Sequence, residues 1–250
     1  MTTFNKRSIR FELSNELDIS DLSGCFGVAR RLLIPRILSY ESADLLGNCL
    51  ERETRWSISL CSRSGGRGSI DASQAQTLRP SEMLETFETA YLDVGASNSH
   101  VFDYFSLHEC RSVDPDSAET YRAFADFLES EQFSSFVRAV VGLENLTVRF
   151  PSATRYRIGQ FYATHRDSMG DSSQVAAFVF NLTRRWEAHW GGLLQFMNSD
   201  GNVESAFLPK FNSLSIFLSS QPHGVSLVTP FAPHNRLSIA GQLEGHNDPI

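Results

Sequence analysis

The segment "RYRIGQFYATHRD", residues 155–167, indicates a β-strand that ends in two polar side chains. Bulky apolar residues alternate along it with polar ones, which is typical of a strand with one buried face. Because strand side chains alternate between the two faces, His165 and Asp167 point the same way, about 7 Å apart along the backbone. This pair is either a satisfied polar contact at a strand end or two ligands of one ion.

A third group of the same chemistry follows in "SSQPHGVSLV", residues 219–228. His223 stands at the start of a predicted strand in which Val225 and Leu227 alternate toward the interior. Two histidines and one carboxylate occupy one face of an octahedron and leave three positions free. That arrangement suits a non-haem Fe(II) ion, which has to bind a chelating cosubstrate and oxygen. A catalytic zinc ion with a bound water is the alternative for the same three residues.

The next predicted strand, in "HNRLSIAG", residues 234–241, places Arg236, Ser238 and Ala240 on one face. Leu237 and Ile239 lie on the other face. A guanidinium group that points into a β core without a carboxylate nearby is a costly buried charge. A dicarboxylate ligand would pair with it through two parallel hydrogen bonds. The pattern therefore predicts a binding site for an anionic small molecule.

Beyond about residue 150, short apolar runs alternate with turn residues, giving seven predicted strand segments up to residue 243. Turn signals recur about every ten residues, and the absence of helical patterns between the runs argues against β-α-β units. The pattern favours a β-sandwich or jelly roll. We expect residues 1–250 to form a single domain, in which residues 1–150 supply helices and flanking strands and residues 151–243 form the β core.

The first 150 residues carry the helical patterns. Apolar spacing predicts one helix that begins after Ser39, one over residues 80–91, one capped by Ser117 and one that ends at Gly142. "RWSISLCS", residues 55–62, alternates like a strand, and the glycines of "RSGGRGS" after it predict a hairpin turn or a flap.

Composition excludes several classes of protein. The chain has 29 acidic and 22 basic residues, a formal net charge of −7, which argues against a nucleic-acid partner. No apolar run is long enough for a membrane span, and the first residues lack the apolar run of a secretory signal, so we expect a cytoplasmic protein without membrane contact. The four cysteines have no metal-site or disulfide spacing.

Taken in order, these segments resemble the Fe(II)- and 2-oxoglutarate-dependent dioxygenases, and within them the prolyl-4-hydroxylase-like branch. The likeness rests on "RYRIGQFYATHRD", on "FNLTRRWEAHWGGLLQF" and on "FLPKFNSLSIFLSSQPHGVSLV". It covers residues 30–243 loosely and residues 150–243 closely. The resemblance implies a double-stranded β-helix core, also called a cupin-like jelly roll, supported by a helical layer.

The resemblance also implies roles for individual residues. His165, Asp167 and His223 would be the catalytic iron ligands. Arg236 would anchor the distal carboxylate of 2-oxoglutarate with help from Ser238, and Tyr156 would hydrogen-bond the cosubstrate or the substrate. Cofactors would be Fe(II), 2-oxoglutarate and O2, with ascorbate as a reductant.

Other residues near these motifs depart from the family pattern or play smaller parts. Phe180 stands where many relatives carry a tyrosine that contacts 2-oxoglutarate, and "TPFAPHN" lengthens the segment between His223 and Arg236. We expect His189 and His234 to be surface residues, and His100 has no partner pattern. The remaining residues of interest are Arg184 and Arg185, expected to be solvated, and Trp186 and Trp190, expected to pack.

The implied reaction is hydroxylation of an unactivated C–H bond, coupled to decarboxylation of 2-oxoglutarate to succinate and CO2. The branch implies a prolyl residue of a peptide or protein as substrate, with the hairpin near residues 65–68 closing over the chain. A free amino acid or a natural-product intermediate is the alternative substrate. A non-catalytic cupin-like metal- or ligand-binding module and a zinc hydrolase are the alternatives of other classes, but neither explains an inward Arg236.

Overall fold

The computed structural model describes residues 9–62, 66–92, 98–109, 114–167 and 173–245. In these residues, helices dominate the first half and strands the second. The helices are α1 (Ile19–Ala29), α2 (Tyr40–Arg52), α3 (Ala72–Thr77), α4 (Pro80–Tyr91), α5 (Pro115–Glu129) and α6 (Glu131–Val141), with a 3-10 turn at Ala188–Trp190. The strands are β1 (Arg31–Pro35), β2 (Ser57–Ser62), β3 (Gly66–Ile70), β4 (His100–Ser106), β5 (Leu146–Tyr156), β6 (Phe161–His165), β7 (Gln174–Asn181), β8 (Leu194–Met197), β9 (Val203–Phe207), β10 (Ser213–Leu218), β11 (His223–Val225) and β12 (Arg236–Gly245).

The strands form a jelly roll of two four-stranded antiparallel layers. Strands β10, β7, β12 and β5 make the larger layer, and β6, β11, β8 and β9 make the smaller one. Strand β4 joins the layers because it pairs with both β5 and β6, and β1 extends the larger layer at β10. This order confirms the predicted double-stranded β-helix core.

Helices cover the outer face of the larger layer. Phe124 and Phe133, from α5 and α6, contact Phe180 with ring centroids 5.1 and 5.7 Å apart. Leu237 and Ile239 of β12 belong to the same apolar core, as their predicted face requires. The helical layer therefore stabilises the sheet from outside and leaves the inner face available for a site.

The barrel is not closed by backbone pairing between its outermost strands β1 and β9. Arg31 of β1 instead donates a hydrogen bond to Glu204 of β9 at 2.6 Å. The guanidinium of Arg31 also lies 5.1 Å from the ring centre of Phe196, a residue of the barrel interior. A charged side-chain contact thus closes the seam between the layers.

The structure confirms several helix limits and corrects one. Helix α2 begins after Ser39, whose hydroxyl accepts from the backbone of Ser42, and α6 ends at Gly142 in the left-handed conformation. The cap of α5 is Asp114, and Ser117 donates its hydroxyl hydrogen to that carboxylate. The prediction of Ser117 as the cap was wrong because an aspartate three residues earlier accepts from the same first turn.

Three further differences concern elements that the sequence did not predict well. Helices α1 and α3 lie in segments without a strong helical pattern. Residues 155–165 form the end of β5, a turn and β6, where the sequence indicated one strand. Leu227 is 47% exposed because β11 ends at Val225, so the prediction that it points inward was wrong. The predicted hairpin exists as β2 and β3, but residues 63–65 lie outside the described residues.

A buried carboxylate fixes the turn between β5 and β6. Asp103 of β4 is fully buried and accepts hydrogen bonds from Arg155, Arg157 and Gln160 at 2.7 to 2.8 Å. Arg157 also packs its guanidinium 5.5 Å from the ring centre of Phe87 in α4. The same network therefore holds β4, the end of β5 and the turn that leads into β6.

We predict that Asp103→Ala lowers the free energy of unfolding by about 3 to 5 kcal/mol, because it leaves the cationic groups without their buried partner. Urea denaturation followed by circular dichroism measures the change. Asp126→Ala, on the exposed face of α5, is the matched control and should stay within about 0.5 kcal/mol of the parent. Equal stability of the two variants would contradict the role of Asp103.

Candidate active site

His165, Asp167 and His223 converge at one end of the smaller layer. His165 ends β6, His223 begins β11, and the two are cross-strand partners. One donor atom from each of the three residues lies within 4.8 Å of the others, and no other such trio of His, Cys, Asp or Glu occurs in the described residues. The Asp167 carboxylate oxygens lie 3.4 Å from His165 Nε2 and 3.5 Å from His223 Nε2.

Backbone carbonyls set the orientation of both imidazoles. His165 Nδ1 lies 2.9 Å from the carbonyl of Ala163, and His223 Nδ1 lies 2.9 Å from that of Gln221. Since a carbonyl only accepts, each Nδ1 carries a hydrogen, and in the neutral form of either ring Nε2 is the atom whose lone pair faces the site. Burial lowers the pKa of His223 to about 4, so its imidazole is neutral near pH 7.

Asp167 supplies the negative charge of the trio. Its backbone N–H donates to the carbonyl of Ser219 at 3.1 Å, which ties it to the segment before His223. Burial acts to raise the pKa of Asp167, but hydrogen bonding to His165 and the positive charge that either imidazole carries when protonated lower it below its usual value. Two imidazole nitrogens and one carboxylate oxygen in this geometry fit a divalent transition metal with open positions.

The second element of the site is Arg236, at the start of β12 on the larger layer. Its side chain is 2% exposed, and no carboxylate lies within ion-pair distance among the described residues. Its Nη1 lies 3.4 Å from Ser238 Oγ, which in turn lies 2.8 Å from Thr154 Oγ1. Within the described part of the chain, the Nε atom has no hydrogen-bond partner. An orphaned buried guanidinium of this kind fits an anionic ligand.

An aromatic wall connects the trio to Arg236. The Tyr162 ring stacks on His165 at 3.8 Å, Phe102 lies 5.7 Å from Tyr162, and Tyr156 lies 5.3 Å from Phe102. The Arg236 guanidinium is 5.0 Å from the ring centre of Tyr156. Burial raises the pKa of Tyr156 above its usual value, so its phenol stays protonated as a donor.

Gly192 makes room for Arg236, which the sequence did not reveal. Its φ is +62°, and a Cβ there would lie 3.1 Å from the Trp186 ring and 3.3 Å from Arg236 Cδ. A side chain at this position would therefore be strained and would press on the guanidinium stem. The second glycine of "WGG", Gly192, is the sequence feature that could have indicated this close packing.

Phe180 is not part of the site. It points outward into the helical layer, whereas its neighbour Asn181 faces the interior as the cross-strand partner of Ser238. The amide of Asn181 donates to Ser213 at 3.2 Å. Asn181, not Phe180, is therefore the β7 residue beside Arg236 and Ser238.

The other candidates fall outside the metal trio. Arg184 forms ion pairs with Asp44 and Glu51 of α2, so it fastens a loop to a helix. His189 is 64% exposed at its side chain. Arg185 and His234 are exposed. Trp186 and Trp190 pack against each other, with ring centres 5.6 Å apart.

A comparison with protein families identifies the segment that carries this site. Residues 151–244 match the family described as the 2OG-Fe(II) oxygenase superfamily. The matched segment contains both histidines and the aspartate of the trio and also Arg236. No curated protein matches the chain in sequence.

Solved structures share the fold over nearly the whole chain. A prolyl-4-hydroxylase from Pseudomonas putida has a TM-score of 0.54 and 20% identity, covering 92% of this chain and 100% of that one. A 2OG-Fe(II) oxygenase family oxidoreductase from Burkholderia pseudomallei has a TM-score of 0.60 and 13% identity, covering 96% and 97%. A prolyl hydroxylase from Trichoplax adhaerens, in complex with a hypoxia inducible factor peptide fragment, has a TM-score of 0.58 and 13% identity, covering 91% and 89%.

These neighbours are similar to the chain in fold, and the family match adds the segment that contains the trio and the buried arginine. The segment of residues 151–244 therefore carries the sequence pattern of the 2OG-Fe(II) oxygenase superfamily, and the fold of the chain is similar to that of solved structures that include prolyl hydroxylases.

Proposed function

We propose that this oxygenase binds Fe(II) through His165, Asp167 and His223 and hydroxylates a prolyl residue in a peptide or protein. The observation that carries the proposal is the pairing of this trio with a buried, unpaired Arg236 at the far end of one aromatic wall. A metal site alone would not require the arginine, and an anion site alone would not require the trio.

The trio has the donor set for Fe(II). Two imidazole Nε2 atoms and one carboxylate leave open positions for a chelating 2-oxo acid and for oxygen. When bound, the iron supplies the oxidation of the cosubstrate and of the substrate C–H bond. The protein holds the donor atoms: Ala163 and Gln221 orient the imidazoles, and Ser219 fixes the backbone of Asp167.

Arg236 is the proposed partner of the distal carboxylate of 2-oxoglutarate. Its planar fork suits a carboxylate, and burial strengthens a charge-assisted hydrogen bond because little water competes. Ser238 already lies beside Nη1, and the Asn181 amide lies on the neighbouring strand. Tyr156, whose ring centre lies 5.0 Å from the guanidinium, is the proposed donor of a phenolic hydrogen bond to the cosubstrate.

The aromatic wall is the proposed surface that keeps water from the reacting atoms. Tyr162 and Phe102 line the path from His165 to Tyr156, and Trp186 approaches Arg236 through the space left by Gly192. Exclusion of water strengthens the electrostatic contacts inside the pocket and limits side reactions of an oxidising site.

Support for a prolyl substrate comes from the neighbours, of which one is named a prolyl-4-hydroxylase and another a prolyl hydroxylase bound to a peptide fragment. A prolyl segment also suits recognition in an extended form, because proline fixes its own φ and loses little entropy on binding. Ascorbate as reductant and a cytoplasmic location stay predictions from the resemblance and the sequence. No described helix is both long and apolar enough to cross a lipid bilayer.

We predict that His165→Ala, Asp167→Ala and His223→Ala each abolish 2-oxoglutarate turnover and greatly weaken Fe(II) binding, while the fold is kept. The reason is that the trio is attached to a β scaffold that has its own apolar core. Anaerobic addition of Fe(II) and 2-oxoglutarate, followed by the visible charge-transfer absorption, reports the site directly. The exposed His189→Ala variant is the control, and iron-dependent succinate formation in any trio variant removes that residue from the ligand set.

We predict that Arg236→Lys raises the apparent KM for 2-oxoglutarate about tenfold or more, since a charge-assisted hydrogen bond contributes roughly 1.5 to 3 kcal/mol and lysine lacks the planar fork. Initial rates of succinate formation at varied 2-oxoglutarate measure this change. Arg185→Lys is the matched exposed control and should behave like the parent. An unchanged KM in Arg236→Lys would contradict the anchor role.

We predict that a library of proline-containing peptides yields products heavier by one oxygen atom, in an Fe(II)- and 2-oxoglutarate-dependent reaction followed by mass spectrometry. Replacing the proline of an active peptide by alanine should remove the product. Efficient turnover of free proline or another small metabolite, with no peptide or protein product, would decide for the small-molecule hydroxylase.

A further inference from the structure

His100 of β4 is a buried histidine outside the metal trio, with both ring nitrogens hydrogen-bonded. Its side chain is 5% exposed. Nδ1 lies 2.8 Å from the carbonyl of Asn98, and Nε2 lies 3.0 Å from the hydroxyl of Ser59. Because the carbonyl only accepts, Nδ1 carries the hydrogen, and Nε2 accepts the hydroxyl hydrogen of Ser59. Bonds at both nitrogens fix the rotation of the ring.

The fixed ring supports the aromatic wall at the point nearest the metal trio. His100 lies 4.6 Å from the Tyr162 ring and 5.2 Å from the Phe102 ring. Tyr162 in turn lies on His165 with centroids 3.8 Å apart and planes only 10° from parallel. A contact so close and parallel restricts rotation of the His165 ring, and therefore the direction of its Nε2 lone pair.

Ser59 connects the same contact to the hairpin of β2 and β3. It lies on β2 opposite Phe102 of β4, on the face that carries the wall. It also lies opposite Ser69 of β3, so the bond to His100 joins the hairpin to the wall. A shift of the hairpin changes the bond at Nε2 of His100 first and the stacking of Tyr162 next.

We propose that His100 is a positioning residue of this oxygenase, which holds Tyr162 against His165 and couples the β2–β3 hairpin to the geometry of the metal site. His100 acts through Tyr162, whose ring contacts both His100 and His165. The inference rests on the proposed iron site and adds to it a group that the sequence motifs do not contain.

Metal binding without turnover gives the first test. Anaerobic titration with Co(II), whose visible absorption depends on ligand geometry, should show roughly tenfold weaker binding in His100→Ala, because residues that orient metal ligands typically contribute about that much. His100→Phe keeps the ring contacts but loses both hydrogen bonds, and we expect an altered Co(II) spectrum with a smaller loss of affinity. His108→Phe, an exposed histidine beyond the other end of β4, is the matched control.

The second test measures how tightly substrate hydroxylation is coupled to the decarboxylation of 2-oxoglutarate. With a substrate peptide, His100→Phe and Ser59→Ala should form less hydroxylated product per succinate than the parent. Their apparent KM for 2-oxoglutarate should stay within about twofold, since the bidentate contact at Arg236 is untouched. Ser59→Ala changes one partly exposed hydroxyl, so it tests the hairpin link even where a His100 variant folds poorly. Ser59→Thr restores the hydroxyl and should restore the coupling.

Parent-like Co(II) spectra and coupling in both His100→Phe and Ser59→Ala would overturn the proposal. If instead the parent protein binds no Fe(II) or Co(II) at the trio and consumes no 2-oxoglutarate, the proposed function itself fails. The two failures are therefore distinguishable, because the first leaves an active parent enzyme and the second does not.

Discussion

The burial of Arg236 without a carboxylate partner is the constraint on which the interior depends. Removing a charge from water costs several kcal/mol even after relaxation, and among the described residues the Ser238 hydroxyl and the Tyr156 ring offset part of that cost. A dicarboxylate that fills the pocket removes the penalty, so its binding and the stability of the barrel are thermodynamically linked. The Asp167 carboxylate lies at the opposite end of the aromatic wall, where it is a proposed ligand of a metal cation.

The two ends of the candidate site lie on different layers of the jelly roll. His165 and His223 are cross-strand partners on the smaller layer, so the pairing of β6 with β11 sets their separation. Arg236 and Tyr156 are partners on the larger layer, so the pairing of β12 with β5 sets the cation over the ring. Strand register therefore determines the geometry of both ends of the site. Strand β4 pairs with both β5 and β6, so it fixes the position of one end relative to the other.

The strand period explains which parts of the site the sequence could predict. Arg236 and Ser238 are two residues apart in β12, where position fixes the face, and Asp167 follows two residues after His165, the last residue of β6. The resemblance aligned Phe180 with a family tyrosine that contacts 2-oxoglutarate, and the sequence did not reveal that Phe180 points outward, because "QVAAFVFNL" is apolar at almost every position. Such a strand is buried on both faces, and its pattern does not tell which residue points inward. Gly192 and Phe102 were missed because their contacts with the site depend on topology rather than on local pattern.

The side chains of β4 alternate between a face that stabilises the fold and a face that contacts the candidate site. Val101, Asp103 and Phe105 face the packed outer side, where Asp103 holds the arginines of the β5–β6 turn. His100 and Phe102 face the aromatic wall that leads to His165. A substitution on the outer side acts on the folded state as a whole, whereas one on the inner side acts on the orientation of a metal ligand. The inner face of this strand, through His100 and Phe102, is therefore the proposed connection between the β2–β3 hairpin and the metal site, and it contributes no residue of the ligand trio itself.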